Sequence, residues 1–153
     1  MIMVSRFKLG LAALLITATG SVAVAEQYVD YTPQKGVWEI NAINVDPNHV
    51  DDYLTGLRTS DVPGFEVMKA HGLMDDYRFM VRNGYSKGAP DVLILTHFTS
   101  LAAMAPDQAR DQMIEKEIYS KFSKEQGRAA VAGYEKYRQF IDDSYWTEVK
   151  MAQ

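Results

Sequence analysis

Two segments of this 153-residue chain have apolar side chains on both of their alternating faces, and this feature constrains the fold most. Side chains alternate between the two faces of a β-strand. In the segment Val37–Val45 the two faces are Trp38, Ile40 and Ala42 against Val37, Ile43 and Val45. In the segment Asp91–Thr99 they are Leu93 and Leu95 against Val92, Ile94 and Phe98. A sheet with helices on one side needs one apolar face, so the second face requires additional helices or a second subunit.

The first 25 residues have the features of a secretory signal peptide. Arg6 and Lys8 precede an apolar to weakly polar stretch from Leu9 to Val24, and small residues lead up to Glu26. The stretch is shorter than the roughly 20 residues of a membrane span and contains Gly, Thr and Ser, which disfavours an anchor. We predict cleavage after residue 25 and a soluble periplasmic or secreted protein with no membrane span thereafter.

The chain that remains after this cleavage has 128 of the 153 residues, with 14 basic and 20 acidic residues and a net charge of −6. We divide this chain into a polar lead over 26–36, a single α+β domain over 37–149 and a tail over 150–153. So short a chain has few helices to cover two apolar sheet faces, which favours a homodimer. Clustered Lys and Arg are missing, which argues against a nucleic-acid partner. Cysteine is also missing, which excludes thiolate metal sites.

The element pattern is strand, helix, hairpin, helices and strand. After Val37–Val45, apolar residues recur at helical spacing from Val50 to Leu57. Tyr77–Val81 and Asp91–Thr99 form a predicted hairpin. The apolar spacing then predicts a helix that Gly127 interrupts, a further helix with Ala130, Tyr134, Tyr137 and Ile141 on one face, and a last strand Tyr145–Val149.

The element order and the strand-to-helix passage Ile43–Leu54 resemble the ferredoxin-like, dimeric α/β-barrel superfamily. Its members include antibiotic-biosynthesis-monooxygenase-like and NIPSNAP-like domains. The resemblance implies a four-stranded antiparallel sheet of order 4-1-3-2 with helices on one face, paired with a second copy, and a pocket between sheet and helices. Asn48 stands where these domains often have glycine, and the region from Asp107 to Asp143 adds an extra helix before the last strand.

Four residues are candidates for a site. His97 lies near the end of its strand on the face of Leu93 and Leu95, where it would be a general base, an axial haem ligand, or a buried histidine bonded to a neighbour. Arg78 would bind an anionic ligand or be a solvated edge charge. Glu39 and Asn41 share one face of the first strand and would bind a ligand or border a subunit contact; the sequence does not fix their register against His97.

Metal ligands are not indicated. The three histidines are 22 and 26 residues apart, and none belongs to a metalloprotease motif. The acidic pairs Asp51–Asp52, Asp75–Asp76 and Asp142–Asp143 lack the pattern of a calcium loop, and we interpret them as helix-start or turn residues. Haem is a cofactor that the resemblance allows but does not require.

The sequence leaves three alternatives for the function of this chain. The first is an exported homodimer that binds a small hydrophobic or aromatic ligand, with Tyr134, Tyr137 and Phe140 as candidate lining residues, or serves only as a structural module. The second, implied by the resemblance, is a cofactor-independent monooxygenase-like or haem-handling enzyme that uses His97. The third is an interaction module whose helices between residues 107 and 142 dock on an envelope partner.

Overall fold

The computed structural model describes residues 24–84 and 86–153. Most of the predicted signal peptide, residues 1–23, therefore lies outside the described residues. Among the described residues, no helix is both long enough and apolar enough to cross a membrane.

The described chain contains six strands and five α-helices. The strands are β1 (Tyr31–Pro33), β2 (Val37–Val45), β3 (Met74–Val81), β4 (Val92–Phe98), β5 (Arg138–Trp146) and β6 (Val149–Met151). The helices are α1 (Val50–Ser60), α2 (Val62–Ala70), α3 (Leu101–Met104), α4 (Gln108–Lys121) and α5 (Lys124–Tyr134). Short 3-10 turns at Pro47–His49 and Glu135–Tyr137 lead into α1 and β5.

The main sheet has four antiparallel strands in the order β3-β4-β2-β5. When these four strands are counted alone, the order from the β5 edge is 4-1-3-2. The structure confirms the predicted α+β class with a four-stranded antiparallel sheet. β2 lies at the centre and pairs with β4 on one side and β5 on the other.

The predicted bounds of the last helix and of the last strand were wrong. The helix expected to extend to Ile141 ends at Tyr134, and the last strand of the main sheet is Arg138–Trp146 instead of Tyr145–Val149. Tyr134, Tyr137 and Ile141 have helical spacing, but the segment is also rich in the aromatic and β-branched residues that favour strands. Pairing along the nine-residue strand β2 decides between the two patterns, because the backbone groups of that strand need a partner on both sides.

The expected break at Gly127 was also wrong, because α4 ends before Phe122 and α5 begins after Ser123. Ser123 accepts a hydrogen bond from the Gln126 N–H, and the Gln126 side chain accepts one from the Ser123 N–H, so a capping box starts α5. Gly127 lies inside the helix. A Cβ there would be 2.8 Å from the Phe122 ring, so its lack of a side chain allows that ring to fold back.

A second, two-stranded sheet joins the lead and the tail of the chain. β1 pairs antiparallel with β6, and Tyr31 lies opposite Met151. The sequence analysis did not predict this pairing, because each strand has only three residues and their partners lie at opposite ends of the chain.

The helices cover one face of the main sheet. The core on this face joins Ile43, Val45, Val92 and Ile94 of the sheet to residues of α1 and α5, namely Tyr53, Leu57 and Tyr134. Of the apolar residues on the opposite face, only Ala42 is buried. The opposite face also includes Trp38, Ile40, Met80, Leu93, Leu95 and Trp146. The described chain thus leaves the second apolar face without a cover of its own.

Helix α5 packs against α1 at a glycine. A Cβ at Gly56 would be 2.0 Å from Cδ1 of Tyr134, so the tyrosine ring occupies the space where a side chain would lie. Tyr134 is 2% exposed and meets Tyr53 edge-on, with ring centroids 5.1 Å apart. This contact brings the last helix into the core.

We predict that Gly56→Ala lowers the free energy of unfolding by about 1–3 kcal/mol, because the added methyl overlaps the Tyr134 ring. Gly133→Ala is the matched control, since no atom lies within 4 Å of a Cβ at that helical position. The control variant should be neutral or more stable by up to about 1 kcal/mol. Urea unfolding followed by circular dichroism measures both changes; equal stability of the two variants would contradict the packing role of Gly56.

Candidate functional site

The structure separates the four predicted site residues into two pairs on opposite faces of the sheet. His97 lies opposite Trp38, and Arg78 lies opposite Leu95, which places both on the face without helices. Glu39 lies opposite Thr96 and Asn41 opposite Ile94, which places them on the helix-covered face. The sheet therefore prevents these four residues from forming one site.

The His97 ring is hydrogen-bonded to a carboxylate at one edge, and the main chain covers its other edge. Its Nδ1 is 2.5 Å from Oδ1 of Asp75, and the β-bulge at Asp75 directs that carboxylate toward the ring. The Cε1–Nε2 edge faces Gly36, where a Cβ would come within 2.5 Å of both atoms. Gly36 has a φ of +82°, so glycine is required there for its conformation as well. His97 thus has the environment of a hydrogen-bonded structural histidine.

This environment does not fit an axial haem ligand. A haem iron on Nε2 needs an open approach for the metal and for the flat macrocycle. The main chain at Gly36 lies against that ring edge, and Nδ1 is engaged by Asp75. A general base acting through Nε2 needs the same space.

Arg78 is an exposed charge at the edge of the sheet. Its guanidinium is 2.7 Å from Oδ2 of Asp76, and its Cζ is 5.0 Å from the centroid of the Trp38 ring. The side chain is 55% exposed. The neighbouring carboxylate already satisfies part of its hydrogen-bonding capacity, and an exposed ion pair of this kind contributes little to stability.

Glu39 is the centre of a small hydrogen-bonded group on the covered face. Its two carboxylate oxygens accept from Thr96 Oγ1 at 3.0 Å and from the Tyr145 hydroxyl at 3.1 Å. The hydrogen bond to Glu39 raises the pKa of Tyr145, because the bond favours the protonated phenol. Asn41 lies one pair farther along the same face, between Ile94 and Asp143. Glu39 is therefore bonded to its own subunit's side chains.

A cavity of about 560 Å³ lies between α2, α4 and α5. Its apolar walls come from all three helices and from the residue after α4: Phe65, Met68, Ile118, Phe122 and Val131. A groove of about 650 Å³ on the other side of α5 is lined by Tyr134 and Tyr137, two of the predicted lining residues. Spacing along the sequence gives no indication of the cavity between α2, α4 and α5, because its walls come from separate elements.

Ser60 and Asp61 form one polar end of this cavity, at the junction of α1 and α2. The charged residues on the α5 side of the cavity are Lys124, Arg128 and Glu135. The Tyr134 hydroxyl is 2.8 Å from Ser60 Oγ and 3.3 Å from Oδ2 of Asp61, and Ser60 also donates to that carboxylate oxygen. Burial raises the pKa of Tyr134. Oδ1 of Asp61 receives no hydrogen bond from the described side chains, so it is free to accept one from a ligand.

Tyr53 places a second phenol next to this group. The residue is fully buried, and among the described residues no hydrogen-bond partner reaches its hydroxyl with good geometry. Burial raises the pKa of Tyr53, and the nearby positive charge of Arg138 opposes that rise. Arg138 itself lies over the rings of Tyr134 and Phe140, at 5.1 and 4.6 Å from their centroids.

In the described part of the chain, no group of three or more His, Asp, Glu or Cys residues is arranged to hold a metal ion. His49 instead bonds Asp52 at 2.8 Å, and His71 bonds Glu117 at 2.8 Å. Each of the three histidines thus has one carboxylate partner.

Several solved structures are similar to this chain, at low sequence identity. A dimeric ferredoxin-like protein from an uncultured marine organism has 7% identity and a TM-score of 0.46, covering 78% of this chain and 91% of its own. A NIPSNAP family protein of unknown function from Agrobacterium tumefaciens has 11% identity and a TM-score of 0.41, covering 80% and 95%. An antibiotic biosynthesis monooxygenase-like protein from Bordetella bronchiseptica has 12% identity and a TM-score of 0.38, covering 78% and 99%.

No protein-family model matches the chain. No curated protein matches it either. Similarities this weak give no information on chemistry, so the chemistry of this chain has to be argued from its own residues.

We predict that Tyr53→Phe leaves stability at pH 7 unchanged or raises it by about 1 kcal/mol, because the substitution removes a buried hydroxyl without a partner. The raised pKa of Tyr53 means that the folded state holds this proton more tightly than the unfolded state. Its contribution is complete below the unfolded pKa of about 10 and is lost as the pH rises further.

Urea unfolding at pH 9 and pH 11 measures this effect. The loss of stability between these pH values should be smaller in Tyr53→Phe than in the unaltered chain. Tyr119→Phe is the control, since Tyr119 is 37% exposed. An equal loss in all three proteins would show that Tyr53 does not titrate differently on folding.

Proposed function

We propose that this chain is an exported homodimer that binds a small apolar or aromatic molecule in the cavity between α2, α4 and α5. The observation that carries the proposal is the cavity itself, which combines apolar walls with the hydrogen-bonded carboxylate of Asp61 at the junction of α1 and α2. Its volume of about 560 Å³ falls in the range of roughly 300–1,000 Å³ that is typical of small-molecule sites.

The polar end of the cavity favours a ligand with one hydrogen-bond donor. Asp61 already accepts from Ser60 and Tyr134 through Oδ2, which fixes the orientation of its carboxylate. A hydroxyl or amine on an otherwise apolar body would reach the other oxygen and leave its ring or alkyl part against Phe65 and Ile118. A ligand without a hydrogen-bond donor would bury the Asp61 carboxylate without a partner, which costs free energy. A ligand with such a donor avoids this cost.

The uncovered sheet face supports the homodimer. Its centre is apolar, with Ile40 of β2 next to Leu95 of β4 and Ala42 next to Leu93. A second copy rotated about an axis parallel to the strands would bring the β3 edge of each copy over the β5 edge of the other. The apolar centres of the two faces would then bury one another.

The other two functions have weaker support. The enzyme alternative uses His97, whose ring edges face Asp75 and Gly36. The interaction alternative needs an exposed apolar stripe on α4 and α5, but Ile114 and Tyr134 are buried at 7% and 2% exposure. Ligand binding by a dimer is the function that the geometry supports best.

We predict that protein purified from its native periplasm carries a bound small molecule, and that Ile118→Trp reduces its occupancy at least tenfold by filling the cavity. Native mass spectrometry measures the added mass. Ile141→Trp introduces the same ring at a residue that is 42% exposed on β5, and it should retain the ligand. Absence of added mass from the unaltered protein, or equal retention by both variants, would overturn the binding proposal.

We predict that Leu95→Asp converts the dimer to a monomer, because it places a charge at the centre of the uncovered face. Met113→Asp is the matched control on α4, where the methionine is 49% exposed. Sedimentation velocity measures the mass of each variant. A dimer in both variants, or a monomer before any substitution, would contradict pairing through this face.

A further inference from the structure

We propose that removal of the signal peptide creates an ion pair between the new α-ammonium group of Glu26 and the carboxylate of Asp30, and that this pair fastens the N-terminus to the C-terminal strand β6. The inference rests on the export and cleavage proposed above. It assigns a role to the first residues after the cleavage point, which the ligand site does not use.

The backbone nitrogen of Glu26 already lies at the right place. It is 2.7 Å from Oδ2 of Asp30. The Glu26 carbonyl accepts hydrogen bonds from the N–H groups of Val29 at 3.2 Å and Asp30 at 2.8 Å, which closes a turn. Tyr28 adopts a φ of +67° within this turn. The turn thus holds the Asp30 carboxylate next to the nitrogen that cleavage would release.

Asp30 connects this turn to the other end of the chain. Its carbonyl accepts a hydrogen bond from the Ala152 N–H at 2.8 Å. The next residue begins β1, where Tyr31 pairs with Met151. Any interaction that orders Asp30 therefore also orders the pairing of β1 with β6.

Cleavage changes the chemistry of the Glu26 nitrogen. In the uncut chain it is a neutral amide with one N–H donor. Hydrolysis of the Ala25–Glu26 bond by a signal peptidase consumes one water, leaves a carboxylate on Ala25 and leaves an amine on Glu26. The amine takes up a proton at neutral pH and becomes a cation with three donors. The existing hydrogen bond then becomes charge-assisted, and the Coulomb attraction between the two opposite charges is added to it.

The position of the bond fits this sequence of events. Val24, Ala25 and Glu26 are all exposed, and Val24 is 83% exposed. A peptidase can therefore reach the bond without unfolding the domain. Exposed ion pairs contribute little to the free energy of unfolding of the whole domain. We therefore expect this pair to act locally, by reducing fraying at the end of the chain.

The test uses the chain 26–153, released from a fusion partner so that Glu26 carries a free amine, and compares it with the same chain acetylated at that amine. Amide hydrogen exchange of Ala152 and Met151 reports on the end of β6. We expect exchange at least threefold slower in the free-amine chain at pH 6.5. Equal exchange in the two chains would overturn the proposal.

Asp30→Asn should remove the difference between the free and the acetylated chain, and Glu148→Gln, a nearby change of the same charge, should preserve it. NMR titration gives a second readout. The α-amino pKa should lie above its ordinary value of about 7.7–8.0 and return to it in Asp30→Asn. Because the pair raises this pKa, its effect should be complete below the ordinary value and vanish as the pH rises through the raised one. An unshifted α-amino pKa would also overturn the pair.

Export is decided by a separate measurement. The intact mass of the protein from its native cell shows whether residues 1–25 have been removed. Their retention would refute the proposed export, whereas the exchange and titration experiments decide the ion pair on the prepared chain.

Discussion

A four-stranded sheet has two faces, and the helices of this chain cover only one of them. This imbalance decides where the core of the domain lies and which residues remain outside it. The covered face forms the core, in which Ile43 and Val92 pack beneath Tyr53 and Leu57. The other face keeps apolar residues such as Leu93 and Leu95 at its centre, where a stable subunit has to bury them against something else.

The edges of the sheet restrict how a partner can approach. β3 and β5 are the two edge strands, and each departs from regular pairing at a bulge. Each also carries an acidic pair, Asp75–Asp76 on β3 and Asp142–Asp143 on β5. We interpreted both pairs from the sequence as helix-start or turn residues, which was wrong; only Asp51–Asp52 lies in the first turn of a helix. Bulges and charges on edge strands oppose the addition of further strands to the sheet.

Local periodicity was sufficient for the parts of the fold that are decided within one element. Alternation along β2 and β4 predicted which side chains lie together, including the side of His97, and helical spacing predicted α1. It was not sufficient where two periods fit the same residues, as in the segment from Tyr134 to Ile141. Register against a neighbouring strand, which separates Glu39 from His97, depends on non-local pairing and could not be read from one strand.

The cavity arose from a feature that local patterns do not reveal, namely the small residues at which the helices meet. Gly56 lets the ring of Tyr134 pass close to α1, and Gly127 lets Phe122 fold over the start of α5. These contacts hold α5 against α1 while α4 packs against α2. The pair α1–α5 and the pair α2–α4 are therefore held together at separate contacts. The space between the two pairs is the cavity, which their apolar side chains line. Glycine at a helix contact is usually interpreted as a loss of helix stability, but here it determines where the helices pack closely and where a cavity remains between them.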